Sequence, residues 1–140
     1  MKKIVIDTNT LISFVTNRDL KQQKMVSNLF DNASQLKTLV FCPQNVLIEF
    51  VYVMDKIYGV SFDKIHEILS DFISMPGIKI IHDLNVEQLL LYWPKYFIDF
   101  GDAIVASVCR EIKGSAVATF DRKLINGLQK AGIETHSLNP

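Results

Sequence analysis

The stretch that decides the fold is Lys3-Ile4-Val5-Ile6-Asp7-Thr8-Asn9-Thr10-Leu11-Ile12. Ile4, Val5 and Ile6 form an unbroken β-branched run, the pattern of a strand buried on both faces, and it stops at a carboxylate followed by small polar residues. An acid in that place lies at the carboxyl edge of a sheet, where open α/β folds bind ligands. An Asp after a strand also caps the following helix, here expected from about Leu11 to Val15, so Asp7 taken alone fits either role.

Outward from this strand the chain alternates between two periodicities. Lys21 to Ala33 is amphipathic, with Met25, Val26, Leu29 and Phe30 on its apolar face. Leu39–Cys42 reads as a second strand, and Pro43 suits the first turn of a helix over Gln44–Tyr58 that Gly59 closes. A further helix runs from Ser61 to Met75 and is stopped by Pro76-Gly77, before a third strand at Ile78–Ile81. Asn85–Trp93 is helical until Pro94 ends or kinks it, and the next helix runs from Asp99 or Gly101 to Lys113. Ala116–Thr119 is a fourth strand, Asp121–Lys130 the last helix and Gly132–His136 a short final strand. Strands alternating with helices predict a three-layer α/β/α sandwich around a mainly parallel sheet, one domain over residues 1–140.

Composition narrows the function classes. No apolar run is long enough to span a membrane and no signal-peptide pattern precedes the first strand, so a cytoplasmic protein is expected. Cys42 and Cys109 sit in separate apolar segments, as buried thiols do, and His66, His82 and His136 lack zinc-ligand spacing. Fifteen Lys plus Arg balance fifteen Asp plus Glu. If five of those acids share one pocket, ten acids face fifteen bases elsewhere, a net of +5 around an acidic hole. Arg18, Lys21, Lys24, Arg122 and Lys123 are candidate phosphate holders in that skin, although charged helix faces are ordinarily just solvated.

The acids themselves stand out by context. Glu49 is the only charge between Pro43 and Met54, in a helix apolar nearly all round and therefore expected to be buried, where a carboxylate needs a partner. Asp99-Phe100-Gly101-Asp102 opens a helix that continues with small apolar residues, so Asp102 has little water to face, while Asp99 suits a cap as well as a ligand. Thr119-Phe120-Asp121 ends a strand in an acid, as Ile6-Asp7 does. A parallel sheet brings these ends to one edge. Clustered carboxylates require a counter-charge, for which Mg²⁺ or Mn²⁺ is the usual solution.

Asp7-Thr8-Asn9, the helical Glu49, Asp99-Phe100-Gly101-Asp102-Ala103 and Thr119-Phe120-Asp121, in this order over almost the whole chain, closely resemble the PIN-domain ribonucleases, most nearly the VapC-type toxins of toxin-antitoxin pairs. The resemblance implies that Asp7, Glu49, Asp102 and Asp121 are a catalytic quartet holding one or two Mg²⁺ or Mn²⁺ ions, with Asp99 an additional acid and Asn9 and Thr119 supporting them. It also implies hydrolysis of RNA phosphodiesters, a cognate antitoxin and a homodimer. Leu89–Trp93 with Tyr96 and Phe97 is more apolar than one helix face needs and serves either the core or that dimer. Asn9 occupies the place of a phosphatase's second Asp, and no GxGxxG follows a strand, so phosphatase and dinucleotide-binding readings are poor. A PIN-like housekeeping RNA-processing nuclease, or a module that binds RNA or protein without cutting, is the alternative.

Overall fold

A computed structural model describes residues 1–138. The strands are β1 Lys2–Ile6, β2 Thr38–Pro43, β3 Ile78–Ile81, β4 Ser115–Ala118 and β5 Thr135–His136. The helices are α1 Thr8–Val15, α2 Leu20–Ser34, α3 Gln44–Lys56, α4 Phe62–Ser74, α5 Val86–Tyr92, α6 Phe100–Glu111 and α7 Arg122–Ala131. All strand pairs are parallel, in the order β3-β2-β1-β4-β5. Right-handed crossovers send α1 to α4 across one face and α5 to α7 across the other, which makes the three layers expected from the alternation of elements.

The β-branched run is the middle of this sheet. Ile4, Val5 and Ile6 are each no more than 2% exposed, with Val5 paired to Phe41 of β2 on one side and Val117 of β4 on the other. Strand order reverses at β1: the chain leaves it toward β2 and later returns on its other flank as β4. At such a reversal, helices on opposite faces diverge and open a crevice beyond the carboxyl ends of the strands. Asp7 follows β1 into that crevice, and Thr119 and Asp121 follow β4.

Two expectations need correction. The first helix begins at Thr8, not near Leu11, because the Asp7 side chain accepts from Thr10 N at 2.9 Å and caps it at once. The larger correction concerns α3, which is not buried all round: Val46, Phe50 and Met54 are in the core, but Ile48 is 66% and Tyr52 63% exposed. Glu49 on this open face is exposed as well. The helix buried on nearly every side is α6, where Ala103 to Cys109 are all buried. The Leu89–Phe97 stretch divides, with Leu89, Tyr92 and Phe97 in the core and Leu90 and Leu91 exposed. Cys42 and Cys109 are buried free thiols.

Candidate active site

Asp7 leaves the end of β1, Glu49 projects from the middle of α3, Asp99 and Asp102 open α6, and Asp121 follows β4. All five line one cavity of about 550 Å³ at the carboxyl edge of the sheet. Asn9 lines it too, but none of its described hydrogen bonds reaches an acid; its backbone carbonyl accepts from Arg18 at 3.2 Å. Arg18 is the one Lys or Arg among the described residues lining this cavity, whereas Lys21, Lys24, Arg122 and Lys123 do not reach it.

Asp7 is the most confined of the acids. Its Oδ1 accepts from Thr10 N and from Thr10 Oγ1, at 2.9 and 2.7 Å, and its Oδ2 accepts from Thr119 Oγ1. Thr119 Oγ1 in turn accepts from Asp121 N at 3.0 Å, so one hydroxyl ties together the two strand-end acids. Burial pushes the Asp7 carboxyl above its ordinary value, against the opposing pull of the threonine hydrogen bonds. Asp99 and Asp121 cap α6 and α7, accepting from Asp102 N at 3.0 Å and from Lys123 N at 2.9 Å. The capping role considered for these residues is therefore real, and it leaves each of them a second carboxylate oxygen.

Asp102 differs from the caps. Burial first, then the nearby carboxylates of Asp99, Asp121, Asp7 and Glu49, raise its pKa from 3.8 to about 7. Glu49 is held from outside the core: its Oε2 accepts from Thr8 Oγ1 at 2.6 Å. Its Oε1 lies over Gly101 so closely that a Cβ there would strike it and push the Glu49 carboxylate aside. Thr8 and Thr10 were missed by the sequence reading, as was the role of Gly101. Thr10 at three residues from a capping Asp is a recognisable signal, but Thr8 meets Glu49 across 41 residues and leaves none.

The donor set suits a hard divalent cation. Every candidate ligand is an oxygen, and among the described residues no Lys or Arg forms an ion pair with any of the five acids. Asn45 Oδ1, buried beside Glu49 with no hydrogen-bond partner among the described groups, adds a further oxygen. The acids ring the cavity instead of crowding together: among the described residues no three His, Cys, Asp or Glu side chains are already gathered as a metal cage. Fit thus rests on the chemistry of the donors and on their unrelieved repulsion.

Comparison with known proteins agrees with this architecture. The fold is similar to PAE2754 from Pyrobaculum aerophilum, with TM-score 0.64 and 16% identity over 90% of this chain and 86% of that one. It is similar to VapBC2 from Rickettsia felis, solved bound to a DNA fragment from their promoter, with TM-score 0.64 and 15% identity over 98% and 99% of the two chains. It also resembles Mycobacterium tuberculosis VapC20, a sarcin-ricin loop cleaving toxin, with TM-score 0.66 and 17% identity over 93% and 95%. No curated protein matches the sequence at a significant level. The sequence does match the PIN domain over residues 4–127, nearly the full run from β1 to α7, and the chain therefore belongs to the PIN domain family.

Proposed function

We propose that this chain is a metal-dependent endoribonuclease, one PIN nuclease domain over residues 1–140, in which Asp7, Glu49, Asp102 and Asp121 do the catalytic work beside Asp99. The observation that supports this most is that one cavity gathers five carboxylates from four separate parts of the fold, the end of β1, the middle of α3, the start of α6 and the end of β4. These acids would hold one or two Mg²⁺ or Mn²⁺ ions. A bound ion supplies positive charge that offsets the acids, acidifies water and stabilises the phosphate in its transition state.

The chain's own groups do the rest. Thr10 and Thr119 fix the Asp7 carboxylate so that it cannot turn away from the cavity. Glu49, open to solvent and steered by Thr8, would take a proton from the water that attacks phosphorus, while the leaving ribose oxygen separates and takes a proton from solvent water. Asp102 must give up its proton before it can serve as a ligand, so metal loading releases protons near neutrality.

The likeness to VapC20 and to VapBC2 supports RNA as substrate and a toxin role beside a cognate antitoxin; a homodimer and a cytoplasmic location belong to the same proposal. Among the described residues no helix is long and apolar enough to cross a membrane. A second reading has one specific observation in its favour: Asp7, Asp99 and Asp121 all cap helices, as they would in a PIN-like module that binds without cutting. A ribonuclease assay on the purified chain separates the two. Asp7→Asn and Asp102→Asn are each expected to lower Mg²⁺- or Mn²⁺-dependent cleavage by about 100-fold or more, with melting temperatures equal to or above that of the parent. Full activity in either variant, or undiminished cleavage in excess EDTA, overturns the nuclease reading.

A further inference from the structure

Beyond the acids the crevice continues into a groove of about 870 Å³ that shares Asp99, Asp102 and Asp121 with the first cavity. Its floor is a stripe on α7: Lys123, Asn126, Gly127 and Lys130 lie at i, i+3, i+4 and i+7, which is one face of a helix. Both lysines are exposed, and neither forms an ion pair among the described residues. Seven residues of helix set them roughly 10 Å apart along the axis.

The opposite wall is apolar and rigidly built. Ile98 is 90% and Phe100 45% exposed, although both neighbour a charged floor. Trp93 packs edge-on against Phe100 with ring centroids 5.2 Å apart, and its Nε1 donates to the Ile98 carbonyl at 2.9 Å. Phe97 sits over Gly127 so closely that any side chain there would collide with its ring. The wall is thus fixed to the floor before any ligand arrives.

A groove with fixed apolar and aromatic faces on one side and unpaired lysines on the other, ending at a set of acids, matches a single polynucleotide strand. Flat bases meet the wall and phosphates meet the lysines. We propose that this groove holds the nucleotides on one side of the scissile phosphate, with Lys123 and Lys130 as phosphate contacts and Phe100 as a stacking surface. The inference rests on the nuclease reading and names the route of its substrate. A cavity of about 430 Å³ carrying Arg18 and Phe120 adjoins Asp121 from the other flank and leaves room for the strand to continue.

The test measures binding of a short fluorescein-labelled single-stranded RNA to the full chain in an Asp7→Asn background, across a salt series. Lys123→Gln with Lys130→Gln is expected to weaken binding about tenfold and to flatten the slope of log K against log salt by about 1.4, two phosphates' worth on a single strand. Lys123→Arg with Lys130→Arg should restore that slope. Phe100→Leu is expected to weaken binding about fivefold with the slope unchanged. In chains with Asp7 intact, shortening the RNA on one side of the cut should slow cleavage in the parent but not in the Lys-to-Gln double variant. If the parent cleaves RNA while the double variant keeps its affinity and slope, the groove is off the path and the nuclease reading stands. If the parent cleaves no RNA with either metal, the nuclease reading falls and takes this inference with it. If Phe100→Leu changes the oligomeric mass and leaves RNA affinity untouched, the wall is a protein interface and the inference is wrong.

Discussion

Two helices bring acids to the same cavity, and they do so in opposite ways. In α6 the acid comes at the first turn, followed by Ala103 to Cys109, all buried. Asp102 is consequently drawn into the protein and shifted toward neutrality by its surroundings. In α3 the acid sits mid-helix on an open face between Ile48 and Tyr52, and it is oriented by a distant threonine and by the bare backbone of Gly101. One carboxylate is positioned by burial and the other by side chains reaching across space. The difference teaches that side-chain size, more than apolarity, marks the enclosed helix: apart from Ile104 the buried run of α6 is Ala, Ser, Val and Cys, and α3 carries Ile and Tyr where it looks out.

Breaking the second kind of positioning should have the largest effect. Gly101→Ala puts a methyl group against Glu49 Oε1, and the exposed Glu49 side chain can swing aside at little cost in stability. We expect cleavage to fall about 100-fold with the melting temperature nearly unchanged, since displacement of a catalytic group by about an ångström has that effect on rate. Activity within twofold of the parent would mean that the place of Glu49 over Gly101 is unimportant. The enclosed helix should respond through stability instead. Ala106→Leu overfills a fully buried position and is expected to cost about 1–3 kcal/mol, against less than about 0.5 kcal/mol for Ile48→Ala on α3, both read by denaturant melts. Equal losses would erase the contrast.

The remaining effect is one of pH. With metal removed by EDTA, the folded chain keeps a proton on Asp102 up to about pH 7, whereas the unfolded chain, with a value of 3.8, has lost it. Stability from this group therefore declines as pH rises through that window. Asp102→Asn removes the decline, so the melting temperature of the variant minus that of the parent should grow between about pH 4 and pH 7 and level off above. Added Mg²⁺ or Mn²⁺ should raise the parent's melting temperature and narrow the gap. A difference that is flat with pH would show that neither burial nor the neighbouring carboxylates shift Asp102.

The layers of the fold were legible because Ile4–Ile6 can only be a central strand and because Gly and Pro punctuate the chain at most helix ends. The acids were legible in part: Glu49 and Asp102 are charges in otherwise apolar surroundings, whereas Asp7, Asp99 and Asp121 have a local reason as helix caps and stand out only through the sheet edge they share. The open face of α3 was not. Its apolar residues are arranged as in a core helix, and only the course of the crossovers decides that Ile48 and Tyr52 look over a cavity. Gly101 was read as a helix-starting residue for the same reason: its meaning lies in Glu49, and no local rule joins the two.

The placement of β4 beside β1 has a consequence for how the protein is made. A ribosome that has passed residue 100 has produced Asp7, Glu49 and Asp99, but not Asp102, nor the strand whose end carries Thr119 and Asp121. Until that strand emerges, β1 has one unpaired flank and Asp7 lacks one of the two hydroxyls that steady it. Whatever chemistry the crevice performs is withheld from the nascent chain until β4 and the residues that follow it have been made.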